Sequence, residues 1–562
     1  MKPSKKIILI IISVSIGYFT SKIWPNTNKH KSAAIVTGHP EATKIGEFIL
    51  SQGGNAIDAS IATQLALAVC FPRAGNIGGG GFMIYRTREG KSYSLDFREK
   101  APKKSSKNMY LDSAGDVIDD LSTQGVLSIG VPGTVSGIFD AHKKFGSLSI
   151  EQLFNPAIKL AENGFTINES QANMLNEYKE VFIQFNKNNN YFIKDSNWKN
   201  GDTLIQKDLA NTLKIIRDKK RESFYNGIIT EQIIQSLGEE SILSKNDFKD
   251  YKSIWREPIA TNINNYKIIS MPPPSSGGIA LSQLLLMYFN KNLKNLKHNS
   301  TEYIHSLTEI EKLVYADRSK YLGDSDFYHV PIDELLNKKY ITNRLNKIDF
   351  SKINPSKKIN PGSISYKESE ETTHFSIVDF EGNAVSVTTT LNTNFGSKVF
   401  VNKLGFLLNN EMDDFSSKPG HPNTYGLIGS KANSIEPEKR MLSSMTPTIV
   451  EKNDELFLVL GSPGGSTIIT SVFQTILNVI LFKMDIQESV DAPRFHHQWL
   501  PDVIYVEKNS FQKNTIDSLK KIGHQITQRN AIGHVNAIHI DGSIETGADK
   551  RGSNSASILL TN

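Results

Sequence analysis

One cysteine, Cys70, stands in 562 residues, so the chain cannot close a disulfide within itself. It lies in the apolar run Leu65-Ala66-Leu67-Ala68-Val69-Cys70-Phe71, where a small buried thiol packs rather than reacts. An excess of one charge is also lacking: 64 Lys and Arg against 58 Asp and Glu leave a formal +6 that no block concentrates. With no nucleic-acid motif beside it, that balance argues against nucleic acid as a partner. No internal repeat is found. Gly78-Gly79-Gly80-Gly81 lacks the Lys-Ser/Thr of a phosphate loop and the spacing of a dinucleotide fingerprint, and reads instead as a close backbone approach. Asp413-Asp414 has no His or Cys cluster to complete a transition-metal site, and in Arg494-Phe495-His496-His497 neighbouring imidazoles point opposite ways along a strand. No metal and no cofactor are expected.

What is present begins with Lys2, Lys5 and Lys6 ahead of Ile7 to Phe19, an apolar segment short of the roughly 18–20 residues that a membrane span prefers. It reads as an export signal over 1–24 that is either removed or kept as an anchor, and it points to a periplasmic or secreted protein. Trp24 to Lys31 is a polar spacer. His39-Pro40 opens a helix with Ile45, Phe48 and Ile49 as its apolar stripe, and Ile57, Ile61, Leu65 and Ala68 mark a second, deeply buried one. From Leu148 to about Arg344 the pattern is mostly helical and surface-rich.

The most informative stretch is Glu371-Thr372-Thr373-His374-Phe375-Ser376-Ile377, continuing to Thr388-Thr389-Thr390-Leu391-Asn392. Phe375 and Ile377 alternate with polar residues, Val385 and Val387 do the same, and Asp379 to Asn383 supply turn chemistry: a hairpin. A three-residue loop with Gly382 in the left-handed conformation pairs Asp379 with Asn383 and so sets Thr372 opposite Thr390. Threonines across a ladder are ordinary sheet residues as well as a possible nucleophile and helper. The polar run from Pro361 to Glu371 favours the second reading, because a strand that starts abruptly after it could carry a new N-terminus.

Thr-Thr-His-Phe-Ser-Ile followed by Gly-Asn-Ala-Val-Ser-Val-Thr-Thr-Thr-Leu-Asn resembles the signature of the γ-glutamyltranspeptidases, within the N-terminal-nucleophile hydrolases. The resemblance runs from about Ala33 to the C-terminus, through Asp-Phe-Arg-Glu-Lys-Ala-Pro, Met-Pro-Pro-Pro-Ser-Ser-Gly-Gly and Gly-Ser-Pro-Gly-Gly-Ser. It implies an α+β fold, a four-layer αββα sandwich built from two subunits cut from one chain: a large one over 25–371 and a small, catalytic one over 372–562. It implies self-cleavage between Glu371 and Thr372, with Thr372 as nucleophile, Thr390 as its helper, and Gly464 and Gly465 as the oxyanion hole. By the same resemblance Arg98 with Ser443 and Ser444 receives the substrate α-carboxylate. Asn392, Glu411 and Asp414 receive the α-ammonium on the opposite side of the pocket, and Tyr425 gates a lid. His374 supports the threonine strand.

The implied substrates are glutathione and other γ-glutamyl compounds, with water, amino acids or peptides as acceptors. The implied partner is the chain's own other subunit. Two rivals stay open: a cephalosporin acylase or poly-γ-glutamate depolymerase of the same fold, and an exported amino-acid-binding protein that is never cut.

Overall fold

In the computed structural model, residues 32–186, 190–359, 372–418 and 430–561 are described. The export signal, Glu371 and Tyr425 with its lid lie outside them. Most of the described strands gather into two large sheets. One has seven strands in the spatial order Ser555–Leu560, Ser32–Thr37, Thr373–Val378, Ala384–Thr390, Gly80–Arg86, Ser92–Asp96 and Ile254–Arg256. The other has six, in the order Ile544–Ala548, Asn536–Ile540, Glu455–Gly461, Thr448–Lys452, Tyr266–Ser270 and Ile259–Ile263.

The period of two along these strands explains the layering. Ala33, Ile35, Met83, Tyr85, Phe375, Ile377, Val385 and Val387 point outward into a core shared with the helix Ala56–Cys70, which is buried along its whole length. Their alternates Ala34, Val36, Phe82, Ile84, Val378 and Ala384 point inward to the second sheet and join its core. On the far side of that sheet pack Gly277–Asn290, Thr301–Tyr321 and Thr467–Ile480, which complete an αββα sandwich. A sheet buried on both faces is apolar except where a polar side chain finds a hydrogen-bond partner.

The inward face of the central hairpin is polar at its upper end. His374, Ser376, Ser386, Thr388 and Thr390 all lie between the sheets, and their hydrogen bonds stitch the layers together. Ser386 Oγ donates to the Leu460 carbonyl at 3.0 Å and accepts from the Thr448 amide at 3.0 Å, while Asn536 Nδ2 donates to the His374 carbonyl at 2.8 Å. The His374 ring is enclosed by Thr388 Oγ1 at 2.9 Å and Ser376 Oγ at 3.0 Å. Burial pushes its pKa down to about 3, so it is a neutral hydrogen-bonding member of the core.

Two expectations need correction. Phe48, assigned to an apolar stripe, is half exposed, and the buried positions of the helix Pro40–Ser51 are Ala42, Thr43, Gly46, Ile49 and Leu50. The region read as surface-rich contains the helix Thr301–Tyr321, buried from Tyr303 to Ser319. Ile304, Leu307, Ile310, Leu313 and Val314 cover one side of it, and Glu309, Glu311, Lys312, Asp317 and Arg318 elsewhere on the helix are buried as well.

Candidate active site

The hairpin forms in the expected register. Ala384 faces Val378 and Thr389 faces Thr373, so the ladder carried one step further brings Thr372 opposite Thr390. The turn closes as the sequence requires: the Asp379 amide donates to the Asn383 carbonyl at 3.0 Å, the Gly382 amide donates to the Asp379 carbonyl at 3.0 Å, and Gly382 has φ +86°. Asp379 locks it further by accepting from the amides of Glu381 and Asn383, each at 2.9 Å. The four-glycine run lies against the other edge of the threonine strand. A Cβ on Gly79 would stand 2.1 Å from the Thr390 carbonyl oxygen, so only glycine permits this approach.

Thr372 is buried and sits where two cavities meet. The smaller is polar. Arg98, Asn392, Glu411 and Asp414 line one part of it, Ser443, Ser444 and Arg318 another, and Thr372, Thr390 and Gly465 close it. The larger, about 390 Å³, opens on the other side of Thr372 between Phe71, Met174, Phe395, Gly464 and His534. One threonine is thus shared by a charged recess and a roomier cleft of mixed lining.

Local chemistry explains how each group is positioned. The strand Glu455–Gly461 runs into the glycine loop, which turns directly into the helix Thr467–Ile480. Gly464 (φ +129°) and Gly465 (φ +55°) hold conformations that side chains resist, and this sharp turn lays the loop at the helix N-terminus beside Thr372. The rigid Pro272-Pro273-Pro274 connector is clamped to the serine loop: the Ser443 amide donates to the Pro274 carbonyl at 2.9 Å and the Ser276 amide donates to the Ser443 carbonyl at 2.7 Å. Asn392 Nδ2 donates to the Asn410 carbonyl at 3.0 Å, which ties it to the acidic turn Glu411–Asp414.

Arg98 departs from the expected geometry. Instead of facing Glu411 and Asp414 across a gap, its guanidinium bonds both, Nη1 to Glu411 and Nη2 to Asp414 Oδ2 at 2.5 Å. A third acid, Glu99, holds Oε2 at 3.7 Å from the same Nη1, beyond hydrogen-bonding distance. In a buried recess opposite charges neutralise one another when no zwitterion lies between them. One guanidinium cannot satisfy three carboxylates: Arg98 hydrogen-bonds neither Glu99 oxygen, and Glu99 has the Glu411 carboxyl beside it. Burial pushes Glu99 up to about 7 and Asp414 up to about 6 against the pull of Arg98, and lifts Glu411 well above the usual carboxylate range. Burial works against the charge on Arg98 as well, but Glu411, Asp414 and Glu99 outweigh it and keep the cation. The recess therefore holds more acid than base and has room for an added positive charge.

Sequence reasoning missed Arg318. It is buried, its Nε donates to Ser276 Oγ at 2.9 Å, and its Nη2 donates to Ser444 Oγ at 2.9 Å, so it fixes one of the two serines expected to meet a carboxylate. Its helix mixes charged residues such as Glu309, Glu311, Lys312 and Asp317 with apolar ones and so reads as a surface helix, which hid the need of Arg318 for a specific partner. The histidines behave as read from the sequence. His496 bonds Thr470 Oγ1 at 2.8 Å and Gln498 Oε1 at 3.0 Å, whereas His497 faces Asp502 at 3.2 Å.

Comparison with known proteins agrees with this constellation. The gamma-glutamyltranspeptidase family model matches residues 42–559. A glutathione hydrolase proenzyme of Escherichia coli strain K12 is 44% identical over 526 residues, 93% of this chain and 90% of that protein. Among solved structures, cephalosporin acylase from Bacillus halodurans superposes with a TM-score of 0.83 at 26% identity, covering 95% of this chain and 97% of the other. A gamma-glutamyltranspeptidase chain from Helicobacter pylori gives 0.56 at 45% identity, covering 58% of this chain and 94% of its own. With a match over nearly its whole length and the hairpin, glycine loop and charged recess in place, the chain belongs to the gamma-glutamyltranspeptidase family.

Proposed function

We propose that the chain is a proenzyme that cuts itself before Thr372 and then hydrolyses or transfers the γ-glutamyl group of glutathione and related amides. The observation that carries this reading is the shared position of Thr372, at the junction of a recess rich in charge and a wider cleft. A γ-glutamyl amide has those two halves: a zwitterionic α-amino acid head, and a larger group beyond the scissile bond. Thr372 stands where the carbonyl between them would lie.

In the first step the Thr372 hydroxyl attacks the Glu371 carbonyl, the peptide becomes an ester, and water releases a chain ending in Glu371 and a chain beginning with Thr372. The new α-amine, with a reference pKa of about 7.7–8.0, is a base suited to neutral pH. It accepts the Thr372 hydroxyl proton as Oγ attacks the substrate γ-carbonyl, and Thr390 orients the nucleophile. The amides of Gly464 and Gly465 receive the developing oxyanion, each worth roughly 3 kcal/mol of barrier. The leaving amine takes the proton and departs through the wide cleft. Water or an acceptor amine then enters by the same route and resolves the γ-glutamyl ester.

Arg98, with Ser443 and the Arg318-braced Ser444, meets the α-carboxylate, while the surplus acid of Glu411 and Asp414 meets the α-ammonium beside Asn392. The two pieces stay together as a heterodimer, because the seven-stranded sheet is built of strands from both: Ser32–Thr37, from before residue 372, lies between Ser555–Leu560 and Thr373–Val378, and Ala384–Thr390 pairs with Gly80–Arg86. Export to a periplasm or beyond, by the N-terminal segment, belongs to the same proposal.

An acylase reading comes second, favoured by the closeness of the fold to cephalosporin acylase. A recess with Arg98 facing surplus carboxylates fits a free amino-acid head better than an acyl side chain without an ammonium. The test is Thr372→Ala assayed with a γ-glutamyl anilide: the variant remains one band on a denaturing gel and releases no anilide. Normal turnover by that variant would remove Thr372 from the role.

A further inference from the structure

Away from the threonine site, the buried helix Thr301–Tyr321 carries His305 and Glu309 one turn apart on one face. His524, just beyond the helix Lys513–Ile522, comes onto the same face. One donor atom from each residue lies within 4.8 Å of the others, and all three residues are buried.

The hydrogen bonds fix how the rings are arranged. His305 Nδ1 and His524 Nε2 stand 2.7 Å apart, and His305 Nε2 is 3.2 Å from the Phe350 carbonyl oxygen. A carbonyl only accepts, so Nε2 of the neutral His305 ring carries the proton and the Nδ1 lone pair points toward His524. That is the tautomer and the remote backbone bond of a metal-ligating histidine. Glu309 is held by Lys312, which donates to Oε1 at 2.9 Å, and by Asn354, which donates to Oε2 at 2.9 Å. Lys312 also meets Asp502 at 3.2 Å, and Asp502 meets His497 at 3.2 Å. Two carboxylates against one ammonium leave the surroundings one negative charge in excess, which favours a cation.

We propose that His305, Glu309 and His524 form a binding site for a divalent transition metal of the zinc type. Two imidazoles and one carboxylate are a donor set zinc accepts, with bonds of about 2.0–2.2 Å and a fourth position for water. On binding, the ion takes the Nε2 lone pair of His524, whose ring proton moves to Nδ1, so no proton is lost. The site has a structural purpose that rests on the proposed cleavage. His305 and Glu309 precede residue 372 and His524 follows it, so one ion would cross-link the two pieces of the processed protein, next to the Phe350 to Asn354 segment on the way to the cut.

The test uses tag-free protein stripped with a chelator and titrated with Zn²⁺ and with Co²⁺. Wild type is expected to bind one ion per chain, to give the visible bands of four-coordinate Co²⁺, and to gain melting temperature with zinc. His305→Gln and His524→Asn, which keep a polar group in each place, are expected to bind about tenfold or more weakly and to lose the thermal gain, with hydrolytic activity within about twofold of wild type. Thr372→Ala, uncut under the proposed function, is expected to bind the ion as well as wild type does, so a failure of the cleavage reading leaves this result standing. Less than one ion per chain in wild type, or unchanged affinity in both histidine variants, would overturn the site.

Discussion

Arg98 and Arg494 are both fully buried and both face carboxylates, yet they are partnered in opposite ways. Arg494 spends every arm of its guanidinium on the scaffold: Nε donates to the Ile532 carbonyl at 2.6 Å, Nη1 to Val490 at 2.9 Å, and Nη2 to Gly533 at 3.0 Å and to Asp549 at 2.6 Å. Arg551 adds a second cation, so Asp549 and Glu507 meet two arginines. Burial alone would raise Asp549, but Arg494 and Arg551 outweigh it and hold it at about 2. Around Arg98 the acids outnumber the cations: Arg98 bonds Glu411 and Asp414 and stands 3.7 Å from Glu99, Arg318 adds only a lesser pull on Asp414, and burial wins. A saturated, balanced cluster is a fastening. An overloaded one suits a receptor, because its crowded carboxyl groups gain most when a ligand brings a cation.

The comparison can be broken most forcefully at Arg494. Arg494→Met leaves Asp549 to Arg551 alone and takes a donor from the buried carbonyls of Val490, Ile532 and Gly533, and is expected to cost about 3–5 kcal/mol of stability by denaturant unfolding, with little change in activity per folded molecule. Arg98→Met is expected to do the reverse. Its three acids can take up protons near neutral pH, so the stability loss is smaller. Loss of the carboxylate grip lowers kcat/KM for a γ-glutamyl donor by about 100-fold, on the order of 3 kcal/mol. Equal stability losses in the two variants would dissolve the distinction.

Opposite pH dependences sharpen it further. Glu99 and Asp414 have raised pKa values, so their stabilising contribution is full below about 4 and is lost as pH rises through about 6 for Asp414 and about 7 for Glu99. Asp549 has a lowered pKa, so its contribution is present above its ordinary value and is lost as pH falls through about 2. Glu99→Gln is expected to flatten the stability profile only between about pH 5 and 7, and Asp549→Asn only on the acid side, below about pH 4. The smallest effect is expected from Glu411→Gln. It relieves one surplus carboxylate, so stability holds or rises by up to about 1 kcal/mol, while KM for different γ-glutamyl donors shifts by less than about tenfold.

The hairpin was legible because its information is local. Alternation assigned each face, Gly382 fixed the turn, and the register that sets Thr372 across from Thr390 followed by counting. The glycine loop before Thr467 was legible for the same reason. Arg318 was not, since its importance lies in a serine 126 positions away. Neither was the contact between Arg98 and its acids, because a sequence names the charged groups without saying whether a ligand or a neighbour neutralises them. His305 and His524, 219 residues apart, share no spacing that a motif could capture. What escaped reading was the pairing of buried polar groups across distant segments.

The most direct measurement is intact mass spectrometry of the purified, active protein, with N-terminal sequencing of each chain found. The account predicts two chains held in one particle, the smaller beginning at Thr372. A fully active protein that remains one uncut polypeptide across residues 371 and 372 would contradict it.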